Sequence, residues 1–346
     1  SAQYFARQGK LQKAVDECEK SVRADANISE THKFLGQCLI DMGENTKAIM
    51  ALEKSIELKP DQAEVYTLLS QAYFAKGEFE RSIKFAKAAL KLDATIPEAC
   101  HALGKAYLEI SKLDQAFEAF SKAVKMRPDY PDSHLGLAMV QFRCGQAKEA
   151  VKSSKQAIRL NPTYAEAYCL LGQAYRAVGK LDEASKAFTD AIKFKPEFAL
   201  AYNFLALNFR SQNMLEQSQK ACMRALEIDP ELAEAHNTMG LIYCDRGMYN
   251  DGMREYQMAI KARTNYPEAF NNLALCYFKI GEIDKAIDWF EKAIVLEPHF
   301  ILARFNLALC YFKKRDSEGV KRQYEVLQEL DKNRAAKLYQ KIKTLL

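Results

Sequence analysis

The sequence predicts an all-α solenoid of paired helices, and three observations carry that prediction. A 34-residue pattern runs without insertion or deletion from Ser1 to Arg334. All nine prolines fall at two positions of that pattern. The composition, 49% hydrophobic and 27% charged with only fourteen Gly, is rich in helix formers and poor in β-turn material. At 346 residues the chain exceeds most single cores, whereas a repeat array grows by stacking.

Counting the first residue of the first helix (helix A) as position 1, the array divides into a partial repeat, 1–28, and nine complete ones: 29–62, 63–96, 97–130, 131–164, 165–198, 199–232, 233–266, 267–300 and 301–334. A C-terminal capping helix, 335–346, follows. Helix A opens on Pro97, Pro131 and Pro267, where a missing N–H costs least. Position 2 is acidic in seven of nine complete repeats, where a carboxylate meets the positive end of the helix dipole. Position 7 is large, from Leu35 to Leu307, and position 8 small, from Gly36 to Ala308. Position 11 is mostly aromatic, with Leu39 and Gln141 as exceptions.

Glycine at position 15, in seven rows from Gly9 to Gly281, predicts the end of helix A in a left-handed residue. The second helix, helix B, carries small residues at positions 20 and 27, broken only by Val320 and Leu327 in the last row. Small residues there let helix backbones approach, while positions 7, 11 and 24 fill the space between them. Pro60, Pro128, Pro162, Pro196, Pro230 and Pro298, all at position 32, stop helix B. Repeat 5 is the least regular interior row, with Gln141 at position 11, Ala147 at 17 and Ser154 at 24, and predicts a seam of weaker packing.

This pattern resembles the tetratricopeptide repeat (TPR) family, as in Tyr168, Leu171, Gly172, Tyr175, Ala184, Phe188 and Pro196. The resemblance implies a right-handed TPR superhelix of about ten 34-residue helix-turn-helix repeats. Its A helices would line a concave groove, and its stability would come from neighbouring repeats. The groove positions implied by the family are 2, 5, 6, 9, 12 and 13 of helix A. Position 9 reads Gln37, Gln71, Lys105, Met139 and Gln173, then Leu207, Leu241, Leu275 and Leu309, and position 12 ends with Phe278 and Phe312. An apolar strip in repeats 7 to 10 suits an amphipathic helix or an apolar peptide. Beside it stand Asn203, Asn237 and Asn271 at position 5 and Asn272 and Asn306 at position 6, amides able to meet an extended backbone as donor and acceptor. This is similar to the asparagine ladder in the TPR domain of O-GlcNAc transferases, although only Asn272 and Asn306 occupy the usual column. The Lys and Arg clamp by which chaperone-cofactor TPR domains hold a C-terminal carboxylate is missing.

These eleven residues form the expected site of a protein or peptide ligand, and the expected function is a protein-interaction scaffold. Two other readings stand beside it: a substrate-recruiting TPR domain of a larger enzyme such as a glycosyltransferase, and a self-assembling scaffold. No catalytic or metal-binding residues and no cofactor are expected. His32, His134 and His236 share position 4 in rows 2, 5 and 8, too far apart to form one site, and His101 and His299 stand isolated. No CxxC pair or Cys/His cluster of metal-ligand spacing occurs. The nine cysteines read as small hydrophobes in a reducing compartment, which points to the cytoplasm, with the nucleus as alternative. A net charge of +5 is weak for a nucleic-acid binder, and no stretch is long enough for a membrane span. Residues 313 to 346 hold ten Lys/Arg against five Asp/Glu, equal to the whole net charge, as expected of a solvated capping face.

Overall fold

A computed structural model describes residues 2–342, so the predicted capping-helix positions Lys343 and Leu346, like Ser1, lie outside the described residues. Among those residues the chain is all-α, with 21 helices and no strand. It divides into two compact units, Ser1–Gly179 and Lys180–Leu346. The first holds α1 (Ala2–Arg7), α2 (Leu11–Ala24), α3 (Ser29–Asp41), α4 (Asn45–Leu58), α5 (Ala63–Ala75), α6 (Phe79–Leu92), α7 (Pro97–Glu109), α8 (Leu113–Met126), α9 (Pro131–Arg143), α10 (Ala147–Leu160) and α11 (Ala165–Ala177). The second holds α12 (Leu181–Phe194), α13 (Ala199–Ser211), α14 (Leu215–Ile228), α15 (Ala233–Asp245), α16 (Tyr249–Ala262), α17 (Pro267–Ile280), α18 (Ile283–Leu296), α19 (Ile301–Lys313), α20 (Ser317–Leu330) and α21 (Lys332–Ile342).

In nine of the ten rows helix A ends in the same hydrogen-bonded turn. The N–H of position 16 donates to the carbonyl of position 11, as in Glu44 to Leu39 at 2.8 Å and Glu282 to Tyr277 at 2.9 Å, the long bond of the Schellman motif. Position 15 must then take a positive φ. Glycine supplies it in seven rows, and Ser111, Asn213 and Arg315 adopt it at 58°, 61° and 58°. Because the turn persists without glycine, the packing of helix A on helix B, and not the residue, dictates it.

Positions 8 and 24 trade volume across each pair. A Cβ on Gly36 would stand 2.5 Å from Leu52 Cγ, one on Gly104 2.9 Å from the Phe120 ring, and one on Gly240 2.6 Å from Tyr256. Leu52, Phe120 and Tyr256 are among the largest fully buried side chains. Where position 8 carries a Cβ, position 24 shrinks in several rows, as in Ser70 with Ala86, Ala138 with Ser154 and Ala206 with Cys222, all buried. Ala274 with Phe290 keeps both.

Position 4 fastens helix A to the loop before it in four rows. His32, His134 and His236 place Nε2 2.9, 2.8 and 3.0 Å from the carbonyls of Ala26, Pro128 and Pro230, and Arg304 donates Nε to Pro298 O at 2.8 Å. Position 32 thus has a regular acceptor role in these rows. His101 is not isolated. Its Nδ1 lies 3.3 Å from Ser133 Oγ, and its ring packs against Phe120 and Tyr130, because position 5 of one row faces position 3 of the next.

Candidate functional site

In the second unit, α13, α15, α17 and α19 carry the predicted strip. Leu207, Leu241, Leu275 and Leu309 are each half-buried, as are Phe278 and Phe312. Their inner edges pack on the core, Leu241 beside Tyr256 and Leu273, and Leu275 and Phe278 beside Phe290 and Leu307. Lys313 Nζ sits 4.2 Å from the centre of the Phe278 ring, a cation over an aromatic face. At the C-terminal end, Leu309 and Phe312 pack against the cluster holding Leu338 and Ile342 of α21. The tail helix therefore packs against part of repeat 10, and Leu207, Leu241, Leu275 and Phe278 lie outside that cluster.

The asparagines form a relay. Asn306 Nδ2 donates to Asn271 Oδ1 at 3.2 Å, Asn271 Nδ2 to Asn272 Oδ1 at 3.2 Å, and Asn272 Nδ2 to Asn237 Oδ1 at 2.9 Å. Asn271 is 4% exposed and Asn203 1%, so the amides within reach of solvent are Asn237, Asn272 and Asn306. An amide nitrogen carries two hydrogens, which leaves Asn272 and Asn306 one each beyond the relay. Asn203 stands apart from it, its Oδ1 buried without a hydrogen-bond partner. Next to the strip, Arg210 grips Asp245 with Nε to Oδ2 at 2.5 Å and Nη2 to Oδ1 at 3.0 Å, a bidentate pair joining α13 to α15.

Two features escape a reading by columns. The first is a cleft of about 830 Å³ in the first unit, lined from α3, α5 and α7 and the loops before α5 and α7. It holds the carboxylates of Glu30, Asp61, Glu64, Asp93 and Glu98 against Lys33 and Arg127. Lys33 meets Glu30 at 2.9 Å and Glu64 at 3.0 Å, and Arg127 pairs with Glu98. The position-2 acids were its legible signal, but the loop acids lie outside the helix columns. The second is a pair of thiols in the second unit, Cys244 Sγ 3.1 Å from Cys276 Sγ. They are 32 residues apart, at position 12 of repeat 8 and position 10 of repeat 9, a spacing that fits no linear motif.

A smaller cavity of about 360 Å³ in the first unit gathers His101, Lys105, Asp132 and Tyr164. Burial drives the His101 imidazole down to about 4 and also lowers Lys105. Tyr164 donates its hydroxyl to Asp132 Oδ1 at 2.5 Å. His101 is thus a neutral ring near neutral pH, and its Ser133 neighbour is fully buried. Among the described residues no group of three or more His, Cys, Asp and Glu is placed to hold a metal ion, and no helix is long and apolar enough to cross a membrane.

A family model described as the cilia and flagella-associated protein 70 C-terminal domain matches residues 1–229. Tetratricopeptide repeat models match residues 267–300 and 240–281. Among solved structures, the APC/C hetero-tetramer Cut9-Hcn1 is similar at TM-score 0.58 and 13% identity, over 100% of this chain and 95% of that one. The human IFIT1 dimer with m7Gppp-AAAA is similar at TM-score 0.65 and 18% identity, over 92% and 81%. At such identities both speak for the fold alone. MamA reaches 29% identity over 48% of this chain and 97% of its own, at TM-score 0.43. A comparison with curated proteins gives no match.

Proposed function

Because the chain belongs to the family of the cilia and flagella-associated protein 70 C-terminal domain and is built of tetratricopeptide repeats, we propose that it is a protein-interaction scaffold whose ligand, a peptide or amphipathic helix, lies along the A helices of repeats 7 to 10. One observation carries the reading. Position 9 is Leu in four consecutive rows of the second unit and half-buried in each, while in the first unit the same position holds Gln37, Gln71, Lys105 and Gln173, with Met139 in repeat 5 as the one apolar residue. Packing therefore does not require leucine there, and what the strip lacks is a covering apolar face. The relay of Asn237, Asn271, Asn272 and Asn306 holds amide groups in a set orientation beside the strip, suited to backbone groups of a ligand. With α21 packed at Leu309 and Phe312, the ligand's main contacts fall on repeats 7 to 9.

Covering the exposed part of one partly buried leucine contributes up to about 1 kcal/mol, so Leu207, Leu241 and Leu275 together account for up to about 3 kcal/mol, at most roughly a 150-fold change in Kd. The test is an arrayed library of amphipathic and extended peptides probed with the wild-type chain and with a Leu207→Asp, Leu241→Asp, Leu275→Asp variant, with helicity followed by circular dichroism. Peptides held by the wild type and lost by the equally helical variant support the reading. Equal capture by both chains moves the site elsewhere.

The family match favours a second reading over a glycosyltransferase accessory domain: that the array is the interaction domain of a protein associated with cilia and flagella. Expression of the tagged chain in ciliated cells tests it, and a tag spread evenly through the cell with no enrichment at cilia counts against it.

A further inference from the structure

Outside the proposed ligand strip, the thiols of Cys244 on α15 and Cys276 on α17 lie side by side. We propose that Cys244 and Cys276 are a reversible dithiol–disulfide site that cross-links repeats 8 and 9 and takes a low-molecular-weight disulfide as its co-reactant. Their sulfurs stand 3.1 Å apart, about 1 Å from the bonded separation, so a small side-chain rotation closes the bond. Cys276 is 1% exposed, whereas Cys244 is only partly buried and is the more open residue of the two, so the first attack falls to Cys244.

The room for that sulfur is built in. Column 20 is Ala or Ser in the other interior rows, but repeat 8 carries Gly252. A Cβ there would stand 2.8 Å from Cys244 Sγ and 3.2 Å from the Gly240 carbonyl oxygen. The surroundings also favour a thiolate at Cys244. The Cys276 thiol hydrogen-bonds to it, Tyr256 donates its hydroxyl at 3.6 Å, and the Arg210 guanidinium adds a positive field, which together bring Cys244 down to about 7 against the effects of burial and Asp245. Burial instead pushes Cys169, Cys222 and Cys310 up to about 12. A thiolate near neutral pH is the attacking form in thiol–disulfide exchange.

The chemistry balances in two displacements. Cys244 thiolate attacks one sulfur of the disulfide RSSR, forming a Cys244–SR mixed disulfide and expelling RS⁻, which takes up a proton. Cys276 then loses its proton to solvent or to a second RS⁻ and attacks Cys244 Sγ, forming the protein disulfide and expelling the other RS⁻. Two protein thiols and one RSSR become one protein disulfide and two RSH. The two protein sulfurs are oxidised and the co-reactant is reduced.

The experiment uses the full chain carrying Cys144→Ser, which removes the exposed thiol, in glutathione buffers of graded oxidised-to-reduced ratio. Thiols are trapped by alkylation, and peptides are mapped by mass spectrometry. The expected product has lost two hydrogens and carries a Cys244–Cys276 linked peptide, reversed by reduced glutathione. Adding Cys276→Ser is expected to leave glutathione bound at Cys244, and adding Cys244→Ser to leave neither product. The pairing preference is expected to vanish in urea. Failure of the parent chain to form the linked peptide at any ratio overturns the proposal, whether or not the serine variants fold.

Discussion

The packing of Phe120 makes a quantitative prediction with an inversion of sign. Its ring is fully buried in the first unit between two glycines, Gly104 of repeat 4 and Gly136 of repeat 5. A Cβ on Gly104 would stand 2.9 Å from three ring atoms, and one on Gly136 would come closer still, so the ring has no free side to retreat to. Gly104→Ala in the native background gains about 1 kcal/mol of helix propensity and loses about 1–3 kcal/mol to overpacking, a net destabilisation of about 1 kcal/mol. Phe120→Ala alone loses about 3–5 kcal/mol through the lost transfer energy and the cavity. With the ring gone the clash is gone, and Gly104→Ala in the Phe120→Ala background becomes stabilising by about 0.5–1 kcal/mol. Urea unfolding of the four chains at one pH gives the cycle. Amide exchange in α7, α8 and α9 locates the effect, since nearest-neighbour stability in a repeat array predicts a local loss. A Gly104→Ala effect of the same sign and size in both backgrounds refutes the argument that the ring is held between the two glycines.

Arg315 holds φ at 58° in the position-15 turn, a conformation that costs a non-glycine residue about 1 kcal/mol. Arg315→Gly is therefore expected to raise the urea midpoint of the C-terminal repeats, Asn213→Gly to raise it less, and an unchanged Arg315→Gly midpoint contradicts the reading. His236 is raised above its ordinary value, first through its 2.7 Å hydrogen bond to Glu255 and then through the Pro230 carbonyl. Protonation thus favours the folded state, and the stabilisation is complete below about pH 6.5 and fades as pH rises through the folded value. The stability difference between wild type and Glu255→Gln should shrink from pH 5.5 to pH 8; a difference independent of pH removes the linkage. Repeat 5 meets its polar residues unevenly: Ser153 donates to Gln141 at 2.8 Å, but Ser154 Oγ is buried without a partner. Amide exchange over residues 131–160 is expected to run faster than over repeats 6 to 9, and uniform protection dismisses the seam.

How much of this molecule a reader could obtain without coordinates divides along a physical line. Helical period and side-chain size determine which face of its own helix a residue occupies and how closely two backbones approach. The 34-residue rows, the small residues at position 8, the bulk at position 24 and the turn at position 15 were therefore readable from residue types, whereas the pairing of one position with the other, as in Gly36 against Leu52, came with the tertiary structure. The half-burial of Leu207, Leu241 and Leu275 followed from their column. Contacts between rows depend in addition on the stagger and rotation of successive helices and on rotamers, which no column encodes. The tertiary structure alone turned five separate asparagines into a relay of four with Asn203 left outside, brought Cys244 and Cys276 together across 32 residues, and set the loop carboxylates of Asp61 and Asp93 beside the Glu30, Glu64 and Glu98 column. It likewise brought α21 against Leu309 and Phe312, because a helix beyond the last repeat packs where the terminal A and B helices leave apolar surface, and that surface exists only once they are paired.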